Sequence, residues 1–310
     1  MMMMIGPDGV GKTTLLATMY HEFDKQSGFE LAASKDTDAD LQEAYLKLSN
    51  IITQPTFTPT GPLLRGTAGI VERQFEMLFK GKKELDFIFC DIAGGLIHAD
   101  SNHPDFEEFQ NKLEESLVVM IVIDGSILVE GDDFLSAQRN DPLQIYKLLL
   151  PTLIDESQNH LLLFVVTKCE AWLKNETRRK QLETAFEKRY EIVLNMISEL
   201  NNVAGVLIPV KTLGCVEFTH IDYHNKNKEL IFVRKPNLEF RPQNTDQALR
   251  YALAFALLQH DQRRNQWSKL MRWLRDEHVA FQEALSKFAE ARNRSFKIYG
   301  NASLIEVSKE

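Results

Sequence analysis

Apolar positions along this chain follow two alternating rhythms. Met1–Ile5 is a short continuous apolar run, stopped at once by Gly6-Pro7-Asp8, and reads as a first strand. A helix follows from about Thr13 to Asp24. Over Asp38–Ile52 the residues Leu41, Ala44, Tyr45, Leu48, Ile51 and Ile52 recur at three-to-four spacing, which predicts a second helix capped by Asp38 or Asp40. Residues 53–70 are rich in Thr, Pro and Gly and predict a loop.

Arg73–Phe79 and Leu85–Cys90 are strand-like and joined by Lys80-Gly81-Lys82-Lys83. So short a connection allows only an antiparallel hairpin, because a parallel pair needs a crossover of a dozen residues or more. Beyond it, strands at Leu117–Asp124, Leu161–Thr167 and Val203–Val210 alternate with helices near 142–156 and 178–200. Such alternation predicts a sheet covered on both faces. The expected fold class is therefore α/β: a three-layer, mostly parallel sheet with one antiparallel strand and a C-terminal helical extension.

Residues 219–242 interrupt the rhythm. Leu230–Val233 and Leu238–Phe240 flank Lys235-Pro236-Asn237 and predict a small surface hairpin. Thr245–Gln259 is apolar nearly all round, as a buried helix is. A last helix over about Arg263–Arg294 carries a stripe of Trp267, Leu270, Met271, Leu274, Phe281, Leu285 and Phe288, which suits either the core or a partner chain. The expected organisation is a domain over 1–260, with an insertion at 219–242, and a helical extension over 261–310.

Composition narrows the class. A hydrophobic share of 44% and a charged share of 26% in 310 residues are ordinary for a folded soluble protein. The net charge of -8 gives no reason to expect nucleic acid or an anionic membrane as partner. Cys90, Cys169 and Cys215 are far apart and odd in number, which argues against a disulfide framework or zinc site and fits a reducing, cytoplasmic setting. No apolar run approaches the ~20 residues of a membrane helix.

The clearest chemistry lies near the start. Gly6-Pro7-Asp8-Gly9-Val10-Gly11-Lys12-Thr13 matches GxxxxGK[ST] in full, between a strand and a helix. Glycines let successive backbone N–H groups converge on one centre, and the helix that follows adds its free N–H groups and positive dipole end. Gly6, Asp8, Gly9, Val10, Gly11, Lys12, Thr13 and Thr14 are therefore the expected phosphate-binding set. Lys12 would reach the β- and γ-phosphates, and the Thr13 hydroxyl would take Mg²⁺.

Three further segments follow in order. Asp91-Ile92-Ala93-Gly94 ends a strand and resembles the DxxG motif of GTPases, with Asp91 toward Mg²⁺ and the Gly94 N–H toward the γ-phosphate. Thr167-Lys168-Cys169-Glu170 resembles [NT]KxD with Glu in place of Asp. In that motif the Lys stem lies along the base, and the acid accepts from guanine N1–H and N2–H. Glu keeps the acceptor pair but adds a methylene, so GTP or GDP is the favoured nucleotide and ATP the alternative. Thr212-Leu213-Gly214 stands where GTPases place a loop whose N–H meets guanine O6. This order resembles the Ras-like and translation-factor-related (TRAFAC) superclass. The Asp-x-x-Gly-Gly, Ile-Asp-Gly-Ser-Ile-Leu, Lys-Cys-Glu and Pro-Val-Lys-Thr-Leu-Gly segments are similar to bacterial proteins of the double-GTPase type, over about residues 1–260.

The resemblance implies a Thr-bearing loop that closes over Mg²⁺ when the γ-phosphate is present. Thr56, Thr58, Thr60 and Thr67 lie in that interval, with Thr58 or Thr60 favoured beside Pro59. Ras-like proteins carry a water-orienting Gln after DxxG, whereas this chain has Gly95. Slow hydrolysis is the expectation, with help from an arginine in trans or from Arg65 or Arg73, although both read first as solvated surface charges. His98 and His103 are weaker candidates to hold water. The leading reading is a GTP-binding switch with slow, Mg²⁺-dependent hydrolysis and a protein partner at the switch loop or C-terminal helix. The rivals are a non-hydrolysing assembly module and a thymidylate-type kinase, whose loop shares GxDGxGKTT but whose sheet is wholly parallel.

Overall fold

The computed structural model describes residues 1–23, 28–54, 64, 66–99, 103–223, 228–263 and 277–306. Its main sheet is built from β1 (Met2–Ile5), β2 (Phe29–Ala33), β3 (Ile70–Phe79), β4 (Lys82–Ile92), β5 (Val118–Asp124), β6 (His160–Thr167), β7 (Val203–Pro209) and β10 (Ile298–Gly300). Their order is β10-β7-β6-β5-β1-β4-β3-β2. β1 lies in the middle, parallel to both β4 and β5, and β5, β6 and β7 continue in parallel. The central strands are apolar without alternation because helices cover both faces.

The short connection after Phe79 folds β3 antiparallel onto β4, as its length requires. A second reversed strand was not legible: β10, only three residues long, pairs antiparallel with β7. β2 pairs antiparallel with β3 at the far edge, and only its Phe29 is fully buried, so its sequence carries little strand signal.

One face of the sheet is covered by α1 (Lys12–Glu22), α9 (Thr245–Arg263) and α10 (Glu277–Glu290). The other carries α3 (Phe106–Glu114), α6 (Pro142–Leu153), α7 (Glu176–Arg189) and α8 (Glu191–Glu199). The helix expected over 178–200 is thus two helices, joined at buried Tyr190. Two short helices, α4 (Gly125–Glu130) and α5 (Asp133–Arg139), follow β5. α2 (Lys35–Thr53) starts earlier than expected and is capped by Ser34, whose Oγ accepts from the Thr37 N–H; Asp38 instead accepts from the Tyr20 hydroxyl at 2.8 Å.

Phe281, Leu285 and Phe288 of α10 lie in the core, with Phe29 at ring-centre distances of 5.6 and 5.5 Å from Phe281 and Phe288. Those three stripe residues therefore serve the fold. Trp267, Leu270, Met271 and Leu274 lie outside the described residues.

The insertion forms a hairpin with a different partner from the expected one. β8 (Val216–Asp222) pairs antiparallel with β9 (Glu229–Arg234). Leu238–Phe240 is not a strand: the Leu238 N–H turns back to Lys235 O, and the Arg241 N–H is held by Leu213 O.

Candidate functional site

β1 delivers the loop Gly6–Thr13 at the carboxyl end of the parallel strands. At Gly6 an added Cβ would lie 2.7 Å from Val122 O, so the turn there admits no side chain. Gly9 and Gly11 have φ of 77° and 96°, in the left-handed region that favours glycine. Val10 turns its side chain into the core, while its carbonyl accepts the Thr167 hydroxyl at 2.7 Å. Lys12 is buried, and its ammonium donates to Gly6 O at 2.6 Å and Pro7 O at 3.1 Å. Burial lowers its pKa, against the opposing pull of Asp91 and Asp8. Thr14 sits in the first turn of α1, its carbonyl accepting from Thr18.

Asp91 near the end of β4 is wholly buried. Thr67 donates to its Oδ2 at 2.6 Å, and Thr13 Oγ1 lies 3.5 Å from Thr67 Oγ1. The threonine brought to Thr13 and Asp91 is therefore Thr67; Thr56, Thr58 and Thr60, with Arg65, lie outside the described residues. Burial pushes the Asp91 carboxyl up, opposed by the Thr67 hydroxyl, Lys12 and Arg73.

Arg73 departs from the solvated surface charge its sequence suggested. Its side chain is 13% exposed, and Nη1 stands 3.9 Å from Asp91 Oδ2. Among the described residues, Arg73 Nε and Nη1 and Asp91 Oδ1 are buried without a hydrogen-bond partner. An orphaned carboxylate oxygen beside two threonine hydroxyls is a hard-oxygen donor set of the kind Mg²⁺ takes alongside phosphate oxygens.

Gly94 begins a 3-10 turn over Gly94–His98 and lies against the loop: an added Cβ would be 2.3 Å from the Asp8 nitrogen. This fixes the distance between the strand-end turn and the glycine loop. Gly95 faces open space, with nothing within 4 Å of an added Cβ. His98 is exposed, and the His103 ring accepts from the Asp105 N–H.

At the end of β6, Lys168 takes φ of 58°, uncommon for a residue with a side chain. Its ammonium donates to Gly9 O at 2.8 Å and Asp124 Oδ2 at 2.5 Å. Asp124 had no assigned role in the sequence. It is fully buried, caps α4 through the Ser126 and Ile127 N–H groups, and anchors Lys168. The signal was the Asp-Gly pair closing an apolar strand at the same end of the sheet as the glycine loop.

Glu170 is 4% exposed, and its Oε1 accepts from the Leu213 and Gly214 N–H groups at 2.9 and 3.1 Å. Thr212 Oγ1 accepts from the Lys168 N–H at 3.3 Å. Burial raises the Glu170 pKa, and the loop N–H groups pull it down. The residues of the second and third motif segments thus meet, with the acid bound to the loop beside it.

The sequence matches the family described as Double-GTPase 2 over residues 1–202. No curated protein matches in sequence. Among solved structures, the signal recognition particle receptor SRb-GTP/SRX complex from Chaetomium thermophilum is 15% identical with a TM-score of 0.36, covering 69% of this chain and 90% of that one. The ADP-ribosylation factor-like GTP-binding protein / small COPII coat GTPase SAR1 from Encephalitozoon cuniculi, in complex with GDP, is 11% identical with a TM-score of 0.32, covering 68% of each chain. The family assignment rests on the sequence match.

Proposed function

The chain belongs to the Double-GTPase 2 family, and from that premise we propose that it is a GTP-binding switch that hydrolyses GTP slowly and reports its state to a partner protein. The observation that carries this reading is the Thr67 hydroxyl, brought from the segment before β3 onto both Asp91 and Thr13. A threonine so placed links the order of its loop to whatever sits between phosphates and carboxylate.

On this reading the Lys12 ammonium leaves the Gly6 and Pro7 carbonyls for the β- and γ-phosphates, while loop N–H groups carry the rest of the charge. Thr13, Thr67 and Asp91 would hold Mg²⁺, Asp91 directly or through water. That ion, when bound, neutralises charge spreading over the phosphate oxygens. The reaction is in-line attack of water on the γ-phosphorus with GDP as leaving group. Gly95 brings no side chain to orient the water, which makes the intrinsic rate low. After Lys12, Arg73 is the internal cation this reading uses: its orphaned N–H groups turn from Asp91 toward the γ-phosphate. Lys168 would lie along the base and Glu170 would read its edge.

The antiparallel β3–β4 hairpin counts against a nucleotide kinase. The non-hydrolysing assembly module differs from the leading reading only in turnover. The partner would meet the loop ahead of β3, since the described stripe residues of α10 serve the core. The free, buried cysteines support a reducing, cytoplasmic setting, and among the described residues no helix is long and apolar enough to cross a membrane. Single-turnover phosphate release from bound GTP, with Mg²⁺ and with EDTA, tests the proposal. Tight GTP binding without phosphate release selects the assembly module, and transfer to a nucleoside monophosphate selects the kinase.

A further inference from the structure

The motifs account for one face and one edge of a nucleotide base. The Lys168 stem supplies a face, and Glu170 with Leu213 supplies the edge. A base lying flat on a lysine stem leaves its opposite π-face in water unless another group covers it. In this molecule an aromatic ring stands opposite Lys168: the Phe232 ring centre is 5.5 Å from the Lys168 ammonium. Phe232 belongs to β9, in the insertion hairpin, beyond the residues matched by the family.

Its setting is that of a braced wall. Phe232 meets Phe218 of β8 edge-on at 5.7 Å, and Phe218 stacks on Trp172 at 5.7 Å. Trp172 is buried and lies just after Glu170, so the aromatic row starts inside the loop that carries Lys168 and Glu170 and ends over Lys168 itself. Phe232 is partly buried and packs against two apolar clusters: the one on the α6–α8 face of the sheet, and a small one of Ala17, Leu48, Ile52, Cys215 and Val216 that Leu213 also contacts. The ring is therefore held against the same small cluster as the Leu213 loop. Lys168 is held from behind by Asp124 and Gly9 O, so its stem is fixed as the facing surface.

We propose that Phe232 is the second wall of the base site: the β8–β9 hairpin carries it over the Lys168 ammonium, and an entering base displaces the ring from that contact to lie between it and the Lys168 stem. This rests on the guanine-nucleotide reading above and adds to it a residue that no motif specifies. Stacking on an aromatic face does not depend on which base is present, because every base has a π-face. Phe232 therefore contributes affinity, whereas Glu170 contributes choice.

The test measures GTP, inosine triphosphate and inorganic tripolyphosphate binding to the full chain and to Phe232→Ala, Phe232→Leu and Phe232→Trp. Phe232→Ala is expected to weaken GTP and inosine triphosphate by the same factor, about tenfold to a hundredfold, and to leave tripolyphosphate unchanged. Phe232→Leu falls between, and Phe232→Trp keeps the affinity, with indole emission that changes on adding GTP but not tripolyphosphate. Unchanged GTP affinity in Phe232→Ala overturns the proposal, as does an equal loss for tripolyphosphate, which marks general damage. If Phe232→Ala fails to fold, the Phe232→Trp emission decides: no GTP response overturns it. A wild-type chain that binds tripolyphosphate but no guanine nucleotide overturns the base-site reading itself, a result separate from any variant.

Discussion

The Thr67 hydroxyl donates to Asp91 Oδ2 at 2.6 Å and stands 3.5 Å from the Thr13 hydroxyl. Thr67→Val keeps the shape and removes the oxygen. It is expected to weaken GTP about tenfold, ~1.4 kcal/mol, in Mg²⁺ and to leave GDP affinity in EDTA unchanged. Equal losses under both conditions would show that Thr67 serves the fold and not the metal. Titration calorimetry with both nucleotides reads the difference.

Lys12 makes two hydrogen bonds to its own loop, so its ammonium is positioned before any phosphate arrives. Lys12→Ala should lower GTP affinity by about tenfold to a hundredfold or more, from a charge-assisted bond of ~1.5–3 kcal/mol. Its melting temperature without nucleotide should stay close to that of the wild type. Unaltered GTP binding would remove the phosphate-loop assignment.

The open space at Gly95 means a longer side chain enters without displacing backbone. If the missing side chain limits the rate, Gly95→Gln raises single-turnover hydrolysis about tenfold or more with little change in GTP affinity. A rate equal to the wild type would place the limit elsewhere.

Arg73 is buried beside Asp91, and two of its nitrogens lack partners among the described residues. Arg73→Gln is expected to slow hydrolysis about tenfold or more while GTP affinity falls much less. A large loss of Mg²⁺-dependent binding at an unchanged rate would make Arg73 a counter-ion of Asp91 and nothing else.

Glu170 keeps its acceptor contact with Leu213 and Gly214 when changed to Gln, yet loses a buried charge. Burial raises its folded pKa, so the folded chain binds the proton more readily than the unfolded one, and stability falls as pH rises through the interval between the two values. Glu170→Gln should therefore melt a few degrees higher than the wild type above that interval, on the order of 1 kcal/mol. The advantage should vanish at acid pH, where the native carboxyl is neutral. GTP affinity should fall far more than ATP affinity. Equal losses would show that the carboxylate does not read the base.

Most of the sheet was legible because its strands are continuous apolar runs and its reversal is forced by the short connection after Phe79. The glycine loop, Asp91, Gly94, Lys168 and Glu170 were legible because motif and strand end coincide. What escaped depends on long-range pairing. β10 is too short to show a period, and β2 has one buried side chain. Thr67 stood behind Thr58 and Thr60, which Pro59 favoured, until β3 fixed its place beside Asp91. Arg73 reads as surface charge because nothing local says that its strand faces α1. Asp124 and Phe232 acquire meaning only when Lys168 folds between them.

The position of β10 has a practical corollary. β7 is rich in valine and small residues and would be the last strand of the sheet without Ile298–Gly300 laid against it. A chain cut near residue 260 would offer that bare strand rim to any other copy, along with the hole left by Phe281 and Phe288. Fragments made to isolate the nucleotide fold should therefore clump before they can be assayed, and the tail must travel with the head.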